Sequence, residues 1–373
     1  MTNLSLNNNE FLVLTRKQKR LLELEKRKKR RKKRIAKFFL LLILLFSCYI
    51  SVAFLDLPYI KDLRNIYIET AMTTADHKWL ATLFFPDKLI KKVMSSKVTN
   101  SKIISVTKIN SSEQNSAPIK NDILRQGNLQ VGDLDYAGNE IFINDIDQGI
   151  LISKVKGKTF EGKVALIDDP SRVFIGFTDK KGKQGRYILD YLDMYDSILG
   201  INASGFNDPN GKGSGGSVVG LTYSNGESWG KYTKIYGVVA FDKNNRLVVG
   251  AIDDWDKYNI RDGAQFSPAL IVNGEKIIKG SAGWGLQPRT IVGQREDGVV
   301  IFLIIDGRQP GHSLGATMED CANVMLSYCA VTAGACDGGS SSIMTYDGNI
   351  ITKCSSPSKV GRLLPNAFLV KRK

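Results

Sequence analysis

The chain has 373 residues, of which 43% are hydrophobic and 24% are charged, so it holds enough apolar material for one large folded domain or two small ones. Its formal net charge of +15 is concentrated at one end: residues 1–37 hold 14 Lys and Arg against 3 Glu, a net of +11, which leaves 15 − 11 = +4 for the other 336 residues. The folded part therefore lacks a strong basic excess, and this argues against nucleic acid as a partner.

A membrane anchor is predicted directly after the basic tail. Residues 38–55 read FFLLLILLFSCYISVAFL without a charge, and an anchor over 38–57 is long enough to cross the hydrocarbon layer as a helix. Lysines and arginines flank only its N-terminal side, which predicts a cytoplasmic N-terminus, a single span of the cell membrane and an extracellular remainder. A cleaved signal peptide that ends at Ser51-Val52-Ala53 is the alternative, but the long basic segment favours an uncleaved signal-anchor.

Two segments of different composition separate the anchor from the folded domain. Residues 58–95 contain helix formers with apolar residues at mixed spacing, and they predict a helical stalk that is interrupted near Pro86. Residues 96–120 are rich in Ser, Asn and Lys and predict a flexible linker. The folded domain is expected over 121–373.

Short β-branched and aromatic runs alternate with Gly, Asn and Asp clusters from about residue 140 onward. This pattern predicts an α+β fold, a strand-rich mixed domain with few helices, preceded by the transmembrane helix and the stalk. The unbroken apolar run Val299–Ile305 predicts a strand that is buried on both faces.

One helix and one hairpin are predicted near the C-terminus. Thr317–Val331 predicts a helix, because Thr317 can serve as N-cap and Asp320 follows three residues later. Asp347-Gly348 stands between two short apolar runs and predicts the turn of a β-hairpin.

Four cysteines lie close together in the sequence, and a fifth, Cys48, lies in the predicted anchor. Cys321 and Cys329 are eight residues apart in the predicted helix, about 12 Å along its axis, which is too far for a bridge. Two pairings remain, Cys321–Cys336 with Cys329–Cys354 or Cys321–Cys354 with Cys329–Cys336, and buried free thiols are the alternative. No CxxC spacing occurs, so neither a metal site nor another cofactor is predicted.

Polar motifs follow several of these elements. In chain order they are Asn202-Ala203-Ser204-Gly205-Phe206, Pro288-Arg289-Thr290, Asp306-Gly307-Arg308 and Asp337-Gly338-Gly339-Ser340-Ser341-Ser342. Loops at strand ends often carry functional groups, glycines allow a ligand to approach the backbone, and hydroxyls and amides bind anionic oxygens. Each motif alone is typical of a turn, so the informative feature is their order along the chain.

Taken in order, these motifs resemble the phosphodiester glycosidase family, typified by the enzyme that uncovers mannose 6-phosphate by removing N-acetylglucosamine. The resemblance covers about residues 197–370, and D-G-R and D-G-G-S-S, about 30 residues apart around a helix, are its most specific part. The stalk sequence ETAMTTADHKWLAT is similar to the one that precedes this domain in membrane-anchored bacterial members. The chain departs from the family at Ser204, where a glycine is usual, and at Cys336, where leucine is usual; the first bears on substrate preference and the second marks a candidate disulfide cysteine.

The resemblance implies hydrolysis of the bond between an anomeric carbon and a phosphodiester oxygen. A phosphate monoester leaves readily, so the main needs are a carboxylate to stabilise an oxocarbenium-like state or activate water and a cation to hold the phosphate. Asp306 and Asp337 are the candidate catalytic carboxylates and Arg308 is the candidate catalytic cation. The candidate substrate-binding residues are Asn202, Arg289, Thr290, Gly338, Gly339, Ser340 and Ser341. The expected substrates are carbohydrate phosphodiesters of the cell envelope, as in exopolysaccharide metabolism, and the sequence indicates no particular protein partner.

Two other functions stay open at this stage. A serine hydrolase or transferase would use His312 with one of Ser340 to Ser342 and with Asp306 or Asp337. A non-catalytic module that binds or helps to assemble an envelope polysaccharide would keep a carbohydrate cleft without turnover. Replacement of His312 separates the first alternative from a glycosidase, and prolonged incubation without product would identify the second.

Overall fold

The computed structural model describes most of the chain, which divides into two compact units after Arg64. The described residues are 16–74, 76–98, 104–109, 129–358 and 360–373. The basic tail predicted over 1–37 is therefore described only from Arg16 onward, and from that residue it is helical.

The first unit consists mainly of one long helix, α1 (Arg16–Phe54). Its stretch Glu23–Phe54 is long and apolar enough to cross a membrane, as the anchor predicted over 38–57 requires. A helix suits such a segment because it satisfies its own backbone hydrogen bonds without water. The helix α2 (Pro58–Met72) follows, and its proline stands at the first position, where no amide donor is needed.

The second unit is rich in strands, which confirms the α+β class. Its further described helices are α3 (Trp79–Thr82), α4 (Asp87–Met94), α5 (Ile188–Met194) and α6 (Met318–Ser327). The described strands are β1 (Ile104–Val106), β2 (Ile141–Asp145), β3 (Ile150–Lys156), β4 (Glu161–Ile167), β5 (Val173–Phe177), β6 (Ser197–Asn202), β7 (Leu221–Ser224), β8 (Glu227–Gly230), β9 (Val238–Asp242), β10 (Leu247–Gly250), β11 (Ile260–Gln265), β12 (Ala269–Val272), β13 (Glu275–Lys276), β14 (Arg289–Arg295), β15 (Val300–Ile305), β16 (Ala330–Ala335), β17 (Met344–Tyr346), β18 (Asn349–Ile350) and β19 (Asn366–Lys371).

These strands form three antiparallel sheets. The six-stranded sheet has the order β1-β10-β9-β11-β7-β8, the eight-stranded sheet β13-β12-β16-β14-β15-β4-β3-β2, and the five-stranded sheet β18-β17-β6-β19-β5. β1 lies within the segment predicted as a flexible linker, yet it pairs with β10 as an edge strand. Residues 99–103 and 110–120 of that predicted linker lie outside the described residues.

β15 is buried on both faces, which confirms the prediction made from its unbroken apolar run. Its side chains alternate between two cores because successive residues of a strand point to opposite faces. Three of them join the core to which all three sheets contribute: Val300, Phe302 and Ile304. The other three pack on the side that carries α6: Ile301, Leu303 and Ile305.

α6 begins where the sequence predicts. The Thr317 hydroxyl accepts a hydrogen bond from the Asp320 amide at 3.1 Å, and the Asp320 carboxylate accepts one from the Thr317 amide at 2.9 Å, a complete capping box. The predicted end at Val331 is wrong, because α6 ends at Ser327 and Ala330–Ala335 forms β16 between β12 and β14. Pairing on both sides, rather than any local signal in these small residues, makes this segment a strand.

The predicted hairpin is present between β17 and β18. Tyr346 pairs with Asn349 across the turn. Asp347 and Gly348 have φ values of 45° and 72°, the left-handed conformations that a two-residue turn of type I′ requires.

All five cysteines are free thiols, so neither predicted disulfide pairing is formed. Cys321 and Cys336 are buried in the two cores described above, where they serve as small apolar side chains. Cys329 follows the end of α6, so it does not share a helix with Cys321, and the distance argument from a common helix does not hold.

The stalk belongs to the folded unit from Asn65 onward. Pro86, where the interruption was predicted, is the residue that precedes α4. The Gln287 side chain donates to the Thr70 carbonyl at 2.8 Å and to the Thr73 hydroxyl at 3.0 Å. These bonds fix the loop before β14 to the C-terminal half of α2 and to the residue that follows this helix.

Gly285 marks the closest approach between this loop and α2. A Cβ added to Gly285 would lie 2.4 Å from the Thr70 amide nitrogen, and the residue has φ +61°. Gly280 offers a matched control, with φ +58° and open space around an added Cβ. Replacement by alanine should cost about 1–2 kcal/mol at either site for the left-handed backbone, and about 1–3 kcal/mol more at Gly285 for overpacking.

Denaturant unfolding of the full chain in detergent checks this prediction by comparing Gly285→Ala with Gly280→Ala. Equal destabilisation by the two substitutions would show that α2 does not pack tightly against the loop.

Candidate active site

Several strand ends meet at one edge of the eight-stranded sheet. β14 begins at Arg289, beside the end of β15, and β16 ends at Ala335 on the other side of β14. Asp306 and Asp337 therefore lie one and two residues past the ends of β15 and β16, the two strands that flank β14. Asn202 is the last residue of β6, and its side-chain amide donates to the Asp337 carbonyl at 2.7 Å, which joins the five-stranded sheet to this edge.

A cavity of about 460 Å³ opens at this edge, a size within the roughly 300–1,000 Å³ of small-molecule sites. Seven of the ten predicted site residues line it: Arg289, Arg308, Asp337, Gly338, Gly339, Ser340 and Ser341. Its other charged lining residues are Lys78, Lys97, Asp208 and Arg362. Among the described lining residues, five cations thus accompany two carboxylates, so the cavity favours anions.

Asp337 is the carboxyl group of the cavity that is best suited to acid–base catalysis. Its burial raises the pKa to about 6, and the negative charge of Asp208 acts in the same direction. Hydrogen bonds from the Ser341 hydroxyl and the Gly338 amide, together with the positive charge of Arg362, oppose this rise in pKa. A carboxyl group that titrates close to neutral pH can exchange protons during a reaction.

Arg308 is held in place by Gln287. Its Nε donates to Gln287 Oε1 at 2.7 Å, and the Gln287 amide nitrogen is bound in turn by α2. A Cβ added at Gly339 would lie 2.9 Å from Arg308 Nη2, so the absence of a side chain there makes room for the guanidinium group. Burial lowers the pKa of Arg308 while the nearby charge of Asp337 raises it, and arginine stays a cation in either case.

Arg362 forms a fork with Asp208. Its Nη1 and Nη2 each donate to one carboxylate oxygen at 2.6 Å, and Nη1 also lies 3.4 Å from the Ser340 hydroxyl. This pairing holds the pKa of Asp208 below its usual range. The guanidinium carbon stands 4.7 Å from the centre of the Phe206 ring, which stabilises the cation further.

Arg289 is nearly fully buried and binds backbone carbonyls. It donates to Ala316 at 3.1 Å, to Trp284 at 3.0 Å and to Gly285 at 2.6 Å. Burial lowers its pKa to about 10. Arg289 thus joins two loops that border the cavity and adds positive charge to its lining.

Asp306 belongs to a different cluster and does not line the cavity. One carboxylate oxygen lies 2.9 Å from His312 Nε2, and the other accepts a hydrogen bond from the Lys353 amide at 2.9 Å. Glu161 lies 3.1 Å from His312 Nδ1. Burial raises the pKa of Asp306, and the contacts with His312 and Lys353 oppose that rise.

Asn202 and Thr290 are also absent from the cavity lining. Both are buried, and the Thr290 hydroxyl donates to the Asn202 side-chain oxygen at 2.7 Å. The Ile343 amide donates to the same oxygen at 3.3 Å. Since the Asn202 amide also binds the Asp337 carbonyl, the pair holds in place the loop that carries Asp337.

The arrangement required for a serine hydrolase is not assembled in the described part of the chain. Both ring nitrogens of His312 face carboxylates, those of Asp306 and Glu161, and no serine hydroxyl bonds to the ring. Ser340 and Ser341 line the cavity, from which His312 is absent.

His312→Gln should therefore keep activity within about tenfold of the wild type, whereas loss of a triad histidine costs on the order of 10⁶-fold. Steady-state rates of sugar release measure the difference. A near-total loss of activity with an unchanged melting temperature would support the serine hydrolase hypothesis instead.

Three aromatic rings form one wall of the cavity. Tyr236 and Phe266 stack with ring centres 5.7 Å apart and an interplanar angle of 3°, and Trp284 lies 6.1 Å from Phe266. Rings held in this way offer flat apolar surfaces beside the charged groups of the cavity.

Sequence reasoning missed Gln287, Asp208 and Arg362 as parts of the site. Arg362 begins the sequence R-x-x-P-N-A at residues 362–367, which could have pointed to it. Gln287 directly precedes the P-R-T motif, but its link to Arg308 depends on the fold.

Comparisons with known proteins find a matching family model and similar proteins. A family model described as phosphodiester glycosidase matches residues 195–371. The SPbeta prophage-derived uncharacterized protein YomE of Bacillus subtilis (strain 168) is 27% identical over 274 residues, and the match covers 66% of this chain and 40% of that protein, so the chain spans less than half of its length. The catalytic domain of zebrafish N-acetylglucosamine-1-phosphodiester alpha-N-acetylglucosaminidase, auto-inhibited by its pro-peptide, is similar over 60% of this chain and 82% of that domain, with 17% identity and a TM-score of 0.50, which indicates a shared fold.

Proposed function

We propose that the protein hydrolyses the glycosidic bond of sugar-1-phosphodiesters, because residues 195–371 match the family model described as phosphodiester glycosidase. One observation carries the proposal: Asp337, with its raised pKa, lies in a cavity that Arg289, Arg308 and Arg362 also line. A carboxyl group among cations suits a reaction at a carbon that bears a phosphate.

The arginines supply the phosphate-binding part of the proposal. Guanidinium groups bind phosphate oxygens through paired N–H donors, and these bonds are strong because both partners are charged. Arg308 and Arg362 are oriented by Gln287 and Asp208, so little freedom is lost when they bind. The aromatic wall would then contact the apolar face of the sugar ring.

Asp337 would act in its ionised form. The departing phosphate monoester needs little protonation, so the carboxylate would stabilise the oxocarbenium-like state or take a proton from the attacking water. Its raised pKa favours proton uptake, while the lowered pKa of Asp208 keeps the second carboxylate ionised and paired with Arg362. Two carboxyl groups with pKa values shifted apart are typical of sites that divide such roles.

The direct test is sugar release by the full chain in detergent from a chromogenic phosphodiester of N-acetylglucosamine-1-phosphate. Free sugar with a stoichiometric phosphate monoester would support glycosidic cleavage. Binding of the substrate with no product on prolonged incubation would instead identify a non-catalytic polysaccharide-binding module.

We further propose that the reaction takes place at the outer face of the cell membrane, on phosphodiester-linked glycans of the envelope such as exopolysaccharide. The apolar helix that ends at Phe54 and the basic residues that precede its charge-free part support this orientation. Protease added to intact cells should digest the C-terminal domain and spare an N-terminal tag. Protection of the domain would contradict the orientation.

A further inference from the structure

The cavity has a second wall that lies outside the family-matched region. The stalk contributes Met72, Thr73, Thr74, Lys78 and Met94 to its lining, and Lys97, two residues past the predicted end of the stalk, completes this wall. The family model begins only at residue 195. This wall therefore comes from a part of the chain that the family model does not cover.

Lys97 is the more buried of the two lysines in this wall. Its Nζ stands 3.7 Å from the centre of the Trp284 ring. Burial and the charge of Arg289 both lower the pKa of Lys97. Among the described residues, no carboxylate forms an ion pair with Lys97.

The backbone around Lys97 is fixed by the loop that carries Trp284. The Val98 amide donates to the Ala282 carbonyl at 3.0 Å, and Trp284 Nε1 donates to the Val98 carbonyl at 2.8 Å. A Cβ added at Gly283 would lie 2.4 Å from Lys97 Cα, so the two segments are in close contact. Lys97 is thus positioned before any ligand arrives.

We propose that Lys97 forms a second anion subsite, and that the preferred substrate carries a further phosphate-type charge next to the scissile phosphodiester, as in a sugar linked through a diphosphate. The inference rests on the proposed function. A simple phosphodiester carries a single negative charge, and Arg308 and Arg362 suffice to bind it. The Lys97 ammonium group beside Arg289 would then have no counter-charge. A second anion would supply that counter-charge where an oriented cation is available.

A binding measurement tests the subsite without relying on catalysis. Calorimetry on the full chain in detergent, at constant ionic strength, would compare methyl diphosphate with methyl phosphate. The wild type should bind the diphosphate at least about tenfold more tightly, and Lys97→Met should abolish that advantage while Lys97→Arg keeps most of it. Lys91→Met, an exposed residue of α4 outside the cavity, serves as control and should bind as the wild type does.

Turnover rates provide a second test of the subsite. The ratio of kcat/KM for methyl N-acetylglucosamine-1-diphosphate over methyl N-acetylglucosamine-1-phosphate should fall about tenfold in Lys97→Met. An equal loss of kcat/KM on both substrates would indicate a structural role for Lys97 and would overturn the proposal. The proposal would also fail if the wild type did not prefer methyl diphosphate in the binding measurement. Absence of sugar release from both compounds would refute the proposed hydrolysis alone, because the calorimetry still decides on the subsite.

Discussion

Asp337→Asn should lower kcat for sugar release by about 10²–10⁴-fold, the usual contribution of a positioned acid–base group. The substitution removes the carboxylate but keeps the shape of the side chain and the backbone bonds of residue 337 to Ala203 and Asn202. Initial rates at saturating substrate measure the loss. Asp347→Asn, in the exposed hairpin turn, is the matched control and should leave the rate unchanged.

Stability separates a chemical effect of Asp337→Asn from misfolding. Burial raises the pKa of Asp337 to about 6, above its value in an unfolded chain, so the folded state binds the proton more tightly. The contribution of this group to stability is therefore greatest at low pH and falls as pH rises toward and through 6. The asparagine variant should be at least as stable as the wild type at pH 7. A lower melting temperature there would mean that lost activity reflects lost structure.

The pH profile tests the proposed ionisation state of Asp337. If the carboxylate is the active form, kcat/KM should rise with pH through a midpoint near 6, because a phosphodiester substrate has no group that titrates in that range. The residual activity of Asp337→Asn should lack this rise. A fall in activity above pH 6 would instead assign Asp337 the role of a general acid.

Arg308→Ala is the second substitution with a large expected effect. It should lower kcat/KM by about 10²–10³-fold, since it removes an oriented cation from the group that carries the negative charge. Much of the loss should appear in KM, because the phosphate is charged in the ground state as well as in the transition state. Arg308→Lys keeps the charge but not the paired donors, and it should recover part of the loss.

The controls for Arg308 follow from its surroundings. Arg308 already has a φ of 59°, so alanine adds no new backbone strain at this position. Arg372→Ala removes an exposed arginine that pairs with Asp347, and it should leave kcat/KM unchanged. Retention of wild-type kcat/KM by Arg308→Ala would exclude this residue from phosphate binding.

Short-range signals in the sequence were sufficient for several elements. The capping box of Thr317 and Asp320 and the turn at Asp347-Gly348 involve residues within three positions of each other, so no distant contact is needed to specify them. The apolar run Val299–Ile305 predicted a strand buried on both faces, because seven consecutive apolar residues place apolar side chains on both sides of a strand. The charge-free stretch after the basic tail likewise specified a helix long enough to span a membrane.

Contacts between distant segments decided the composition of the site. Asp306 and Asp337 looked equivalent in the sequence, since each follows an apolar segment and precedes a glycine. The structure turns Asp306 toward His312 and leaves Asp337 in the cavity. Arg362 meets Asp208 across 154 positions of the chain.

By itself, the sequence determined where α6 and the hairpin turn at Asp347-Gly348 begin, that β15 is buried and which family the motifs resemble, because each of these properties depends on neighbouring residues or on their order. Only the tertiary structure decided that the segment Ala330–Ala335 is a strand and that the stalk forms a wall of the cavity. Gln287 illustrates the reason: it binds Thr70 and Thr73 with one end of its amide and Arg308 with the other. Such a link requires three distant segments to be brought together, and hydrophobic burial in the shared core, rather than any local pattern, supplies the free energy that does so.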